Sequence, residues 1–282
     1  MATDIKGVRV FPPPPKGFDA LAATKPDLAR HGLPSRPDPR TQPGLAALWE
    51  IIARRYKDFD HLEPKLLAPD KPTKLIAAGF GLPELVSCGF ELTFPAPITS
   101  LSGTWTVPDL NHSPTPEQFP NHFHTFFGLG FLDVHVEMTV DVVQNVTSLI
   151  RIHTGEQVAL PVRPGDVISA SLCLQTDAKG TAAYFLANET TTQTVNFSIE
   201  TGFPPAHAIN AGVTRDSQFN GPPDPLARFG VVYFDDLTAF ATSGTPRLTD
   251  GLATTMVDSS GRTLAVPQRL TDSTFKVIYR GG

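Results

Sequence analysis

Cysteine is nearly absent: 282 residues contain only Cys88 and Cys173. Two thiols exclude a disulfide framework, although one bridge between them stays open, and neither lies in a CxxC pair of the kind that builds a cysteine zinc site. Long apolar runs are also missing. None approaches the ~20 residues that a membrane-spanning helix needs, so no membrane partner is expected. The first residues, MATDIKGVRVFPPPPKG, lack the apolar core of a secretory signal, which gives a cytoplasmic location as the expectation. Basic charge is in deficit, with a formal net charge of -5 and no Lys/Arg stripe. That argues against a nucleic-acid partner. GxGxxG, P-loop and GxSxG patterns do not occur, which removes the commonest nucleotide-binding and serine-hydrolase readings.

Proline and glycine, in contrast, are abundant at 28 and 22 residues, and few stretches favour a helix. Proline is concentrated at the start of the chain. Residues 1–75 read as a Pro-rich arm, with Pro12 to Pro15 favouring an extended polyproline II segment. One helix is predicted there, near 44–56, with Leu45, Leu48, Trp49, Ile52 and Tyr56 forming an apolar stripe just after Pro43. The arm carries too little apolar surface to fold alone and is expected to pack on the main domain. From residue 76 to 282 the hydrophobic period changes to two. About eleven short runs, among them 85–94, 98–107, 122–127, 132–143, 147–153, 206–214 and 275–279, alternate with turn residues. The fold class is therefore all-β: an antiparallel sandwich of two packed sheets.

Motifs in consistent order add a family resemblance. Ser102-Gly103-Thr104-Trp105-Thr106-Val107-Pro108, Arg163-Pro164-Gly165-Asp166-Val167-Ile168-Ser169, Tyr184 to Thr190 and Leu226 to Phe234 resemble segments of the eqolisin (glutamic peptidase) family. The arm segments Gly17 to Leu21 and Leu28 to Pro34 are similar to those of bacterial members. The resemblance implies a concanavalin-like β-sandwich with a concave groove. It also implies a catalytic Gln and Glu on neighbouring strands, the carboxylate activating water and the amide holding the oxyanion. Here Glu137 stands where the Gln is expected, and Ala211 where the Glu is expected. A three-residue slide puts Thr214 there instead. Phe126 takes the place of a groove Trp. The expectation is an absence of glutamic-peptidase activity.

Four potential ligands, His122, His124, His135 and Glu137, fall in two i, i+2 pairs, and residues two apart on a strand share a face. A two-residue turn at Leu129-Gly130 would set His124 opposite His135 and His122 opposite Glu137. The groove parity of Phe126 and Glu137 in the family would then turn all four into the groove. His207 shares the parity of Ala211 and is expected there as an extra ligand or proton-transfer group. Glu137 is the candidate general base, and Phe126, Arg151 and His153 are candidate substrate contacts. Imidazole with carboxylate suits a divalent Zn, Fe, Mn or Ni ion. The first reading is a metal-dependent, non-peptidase enzyme for a small-molecule substrate. The alternatives are a non-catalytic carbohydrate- or peptide-binding protein and an acid glutamic endopeptidase with a rearranged dyad.

Overall fold

A computed structural model describes residues 7–67, 85–114, 119–174, 180–216 and 223–281. The arm contributes β1 (Val8–Val10), α1 (Lys25–Arg30), α2 (Pro43–Tyr56), β2 (Asp60–His61) and β3 (Leu66–Leu67). The rest is β4 (Ser87–Thr106), β5 (Asn121–Leu129), β6 (Leu132–Val140), β7 (Val146–Ile152), β8 (Gln157–Val158), β9 (Val167–Leu174), β10 (Thr181–Asn188) and β11 (Gln193–Glu200). After these come β12 (Ala206–Thr214), β13 (Val231–Ala241), β14 (Leu252–Thr254), β15 (Met256–Val257), β16 (Thr263–Arg269) and β17 (Phe275–Tyr279).

All seventeen strands form one hydrogen-bonded network because β4 belongs to both layers of a sandwich. Its first part, Ser87 to Thr93, pairs with β12, and Gly89 to Glu91 within it pairs with β14 on the other side. Its second part, Ser100 to Thr106, pairs with β9, while Ile98 to Trp105 pairs with β13. The two expected strands at 85–94 and 98–107 are thus one continuous strand. Pro95 and Pro97 sit at the junction, where neither can donate to a ladder. The front sheet runs β14, β4, β12, β5, β6, β7, β8, β3. The back sheet runs β1, β11, β10, β9, β4, β13, β17, β16.

The core lies between the layers, and strict alternation builds it. In β6, Leu132, Val134, Val136, Met138 and Val140 are all fully buried, while the residues between them are only partly so. Aromatic rings weld the layers: Trp105 stacks on Phe127 at 5.6 Å, and Phe90 meets Phe275 edge to face at 4.9 Å. Both cysteines are free, and burial pushes the Cys88 thiol up to about 12 and the Cys173 thiol to about 11.

The arm lies against the back sheet. Pro43 occupies the first turn of α2, where its missing N–H costs nothing. The helix face is rotated from the expected stripe. Ala46, Trp49, Ala53 and Tyr56 are buried, whereas Leu45, Leu48 and Ile52 are only half-buried at its flanks. Trp49, Ala53 and Tyr56 pack mainly on the arm's own Ala20, Leu28 and Leu33, while Leu48 and Ile52 line a cavity shared with Ser102, Gly103 and Ser171 of the back sheet. Tyr56 anchors it. Its ring meets His61 at 4.1 Å and Phe185 of β10 at 5.4 Å, and its hydroxyl donates to Asn196 Oδ1 at 3.3 Å. The arm's short strands also join the sheets: β1 and β2 pair with β11, and β3 with β8.

Removing residues 1–61 strips this apolar cover, and the shortened protein should melt at a lower temperature than the full chain. An unchanged melting temperature would show that the arm contributes nothing to stability. A second outcome concerns pH. Both ring nitrogens of His61 are buried without a hydrogen-bond partner among the described residues, and burial lowers its pKa to about 4. An unfolded histidine titrates near ~6.5, so the unfolded chain binds the proton first. The contribution of His61 is complete above that value and is lost as pH falls toward 4. His61→Phe should therefore flatten the loss of stability between pH 6.5 and 4, read by denaturant unfolding at each pH.

Candidate functional site

The outer face of the front sheet carries the polar residues. The β5–β6 hairpin turns at Gly130-Phe131, one residue later than expected, so that Leu129 faces Leu132. Both leucines are fully buried, and Gly130 supplies the positive φ of 61° that the tight turn requires. The loop still has two residues, so the faces are as expected and the partners move by two. His124 stands opposite Glu137, Phe126 opposite His135 and His122 opposite Thr139.

Cross-strand register extends these pairs into rows. One row is Ser87, Thr214, His124, Glu137 and Leu149. The next is Gly89, Gly212, Phe126, His135 and Arg151. A third is Glu91, Asn210, Gly128 and Asp133. Gly212 and Gly89 meet so closely that a Cβ on Gly212 would stand 2.2 Å from the Cys88 carbonyl oxygen. A side chain at either position would collide with main chain, and both glycines are buried.

Asp216 completes the cluster. It lies two residues past Thr214, beyond the end of β12, and its backbone carbonyl accepts from Asp224 N at 2.8 Å. Its Oδ1 is 2.8 Å from His124 Nε2, and its Oδ2 is 3.7 Å from His122 Nδ1. Burial opposes ionisation of Asp216. The His124 hydrogen bond and the neighbouring His124, His122 and His135 outweigh it and hold the carboxyl below its ordinary value. An ionised carboxylate only accepts, so His124 Nε2 carries the hydrogen and donates. His124 Nδ1 is then left buried and without a partner among the described residues.

Glu137 is held from the other side. Arg151 Nε donates to its Oε2 at 2.5 Å, and Arg151 Nη1 donates to the Gly155 carbonyl at 2.9 Å. The His124 and His135 rings meet edge to face at 5.6 Å, and His135 Nδ1 lies 3.4 Å from Asp133 Oδ1. One donor atom each from His124, His135 and Glu137 lies within 4.8 Å of the others. These are three of the four expected ligands. His122 is not in that group; its Nδ1 lies 3.3 Å from Thr139 Oγ1 and faces Asp216.

Three expectations are corrected. Ala211 faces the core, fully buried and opposite Phe127, so the alternation of β12 turns Thr214 rather than Ala211 toward His124. His207 lies at a register shift between Ala206 and Ala208. It is exposed, with Nδ1 3.2 Å from the Phe94 carbonyl oxygen, well apart from the cluster. The bulge breaks the parity on which its placement rested. His153 lies past the end of β7 and turns inward, where its buried ring stacks on Tyr184. Burial lowers the His153 pKa and raises that of Tyr184, so the hydroxyl donates to His153 Nδ1 at 2.6 Å. Of the expected substrate contacts, Phe126 and Arg151 remain on the outer face.

The fold agrees with known proteins. Residues 86–279 match the model of the Peptidase A4 family. The chain belongs to the peptidase A4 family, the eqolisins. Scytalido-glutamic peptidase, solved with a transition-state analog inhibitor, superposes with a TM-score of 0.54 at 15% identity over 70% of this chain and 99% of that one. SCP-B, an eqolisin solved with the tripeptide Ala-Ile-His, gives 0.54 at 16% identity with the same coverage. No curated protein sequence matches the chain. No helix among the described residues is long and apolar enough to cross a membrane.

Glu137→Gln should remove the ion pair with Arg151 and leave a half-buried guanidinium under-satisfied. A loss of ~1–3 kcal/mol in urea unfolding is expected. No change in unfolding free energy would show that the pair contributes no net stability.

Proposed function

We propose that the outer-face cluster is a hydrolytic site for a peptide-like amide, with Asp216 as the reacting carboxylate. The observation that carries this reading is the half-buried Asp216 carboxylate held at 2.8 Å by His124, on the face that also bears His135 and Glu137. Membership of a peptidase family supports it, as do the peptide-based ligands of two structurally similar eqolisins. A water beside Asp216 gives its proton to the carboxylate as its oxygen attacks the amide carbon. His135 or Arg151 donates to the carbonyl oxygen as negative charge builds there. The proton on Asp216 then passes to the departing nitrogen as the C–N bond breaks, which returns the carboxylate to its starting state. His124 holds the carboxylate in place throughout.

A second reading keeps a divalent cation, Zn, Fe, Mn or Ni, on His124, His135 and Glu137, acting on a small molecule. Two features favour it: the 4.8 Å grouping and the unpartnered, buried Nδ1 of His124. Such an ion would activate water or polarise a substrate oxygen.

The deciding experiment uses untagged full-length protein, assayed on denatured protein and a peptide library across acid and neutral pH, with metal content measured on the same sample. Asp216→Asn should lower turnover by ~10²–10⁴-fold without removing any metal. Full activity in Asp216→Asn overturns the carboxylate reading. Stoichiometric metal that disappears together with activity in His135→Ala selects the second reading.

A further inference from the structure

Arg215 sits between the two outer-face residues Thr214 and Asp216 and points the other way. Its side chain is 6% exposed. Burying a guanidinium carries a heavy desolvation cost, and the usual compensation is a carboxylate. Among the described residues, Arg215 hydrogen-bonds only main-chain carbonyls. Nε donates to Leu85 O at 2.9 Å, and Nη2 donates to Leu85 O at 2.7 Å and to Val257 O at 3.3 Å. Nη1 donates to Asp224 O at 3.0 Å. Asp258 and Asp224 offset the buried charge only at longer range. The backbone N–H of Arg215 donates to Val86 O at 3.0 Å.

These acceptors come from three separate stretches: the entry to β4, strand β15 and the segment around Asp224. Asp224 also closes back on Asp216 through its backbone N–H, at 2.8 Å. Both flanks of Asp216 are therefore tied by one planar cation. The fork ties β15 to the end of β12, and Asp216 lies past the last ladder pair of that strand, Thr214 with His124. A lysine at this position would keep the charge but lose the planar, multi-pronged geometry.

We propose that Arg215 is the positioning residue of the site, its buried guanidinium fixing where Asp216 presents its carboxylate to His124. For turnover this rests on the reading of Asp216 as the reacting carboxylate. For geometry it stands alone, and the test separates the two.

The experiment compares Arg215→Met, Arg215→Lys, Asp216→Asn and the double variant Arg215→Met with Asp216→Asn, each full-length and checked for cooperative melting. The first readout is the imidazole NMR signature of His124 at one fixed pH. Arg215→Met should move it to the position seen in Asp216→Asn, and Arg215→Lys should restore it in part. The second readout is turnover of a cleaved peptide. Arg215→Met should lower kcat by up to ~10²-fold with KM nearly unchanged, as expected for a reacting group displaced by about an ångström. It should cost nothing more when Asp216 is already Asn. A folded Arg215→Met protein with the wild-type His124 signature overturns the proposal, as does a full additional loss in the double variant. If Arg215→Met fails to fold, the His124 signature of Arg215→Lys decides by the same criterion. If Asp216→Asn keeps full turnover, the hydrolytic reading falls, while the imidazole comparison still decides the positioning role.

Discussion

Everything in the sandwich depends on one twenty-residue strand serving two sheets. β4 gives its first third to the front layer and its second half to the back layer. The layers are therefore covalently continuous through a strand rather than a loop, and their relative placement is set by hydrogen-bond register on both sides. Trp105, near the end of that strand, stacks on Phe127 of β5 and fixes the spacing between layers. The face of β5 opposite Phe127 is the face that carries His124 and Phe126. The same packing that fills the core thus decides which side chains meet outside it.

The outer-face cluster alternates imidazole or guanidinium with carboxylate side chains at a half-buried depth. Asp216 lies against two histidines, Glu137 against Arg151, and His135 near Asp133. At such depth the Asp216 carboxylate would be costly alone, and the histidines beside it keep it ionised. That is the condition for a carboxylate to accept a proton from water. Imidazoles bound on one side and open on the other are also what a metal ion requires, so one constellation supports two chemistries.

Much of this was legible in the sequence, for reasons that are local. The alternation Leu132, Val134, Val136, Met138, Val140 declared the strand and its buried face, and with it the outward set His135 and Glu137. The SGTWTVP segment and its companions pointed to the family. What was hidden depends on pairing partners. Whether the turn falls at Leu129-Gly130 or Gly130-Phe131 leaves the face intact but shifts every partner by two, and only the burial of both Leu129 and Leu132 decides it. The bulge before Ala208 diverted His207, and the parity inherited for Ala211 was that of the core. Asp216 lies outside the strand, yet its i, i+2 spacing from Thr214 was the available clue. β16 escaped because Pro267 and the charged end of Thr263–Arg269 blur its period.

The arm's small strands have a consequence beyond anchoring a helix. β1 and β2 occupy the outer margin of β11, and β3 occupies that of β8. A bare strand margin is a row of unused donors and acceptors that can recruit another copy of the chain. By folding its own N-terminal residues onto one margin of each sheet, the protein caps both with short, proline-flanked pieces that offer little to a further strand. A protease that nicked the arm would thus do more than loosen the sandwich: it would uncap two margins at once and turn a self-contained domain into a template for β-stacked self-association.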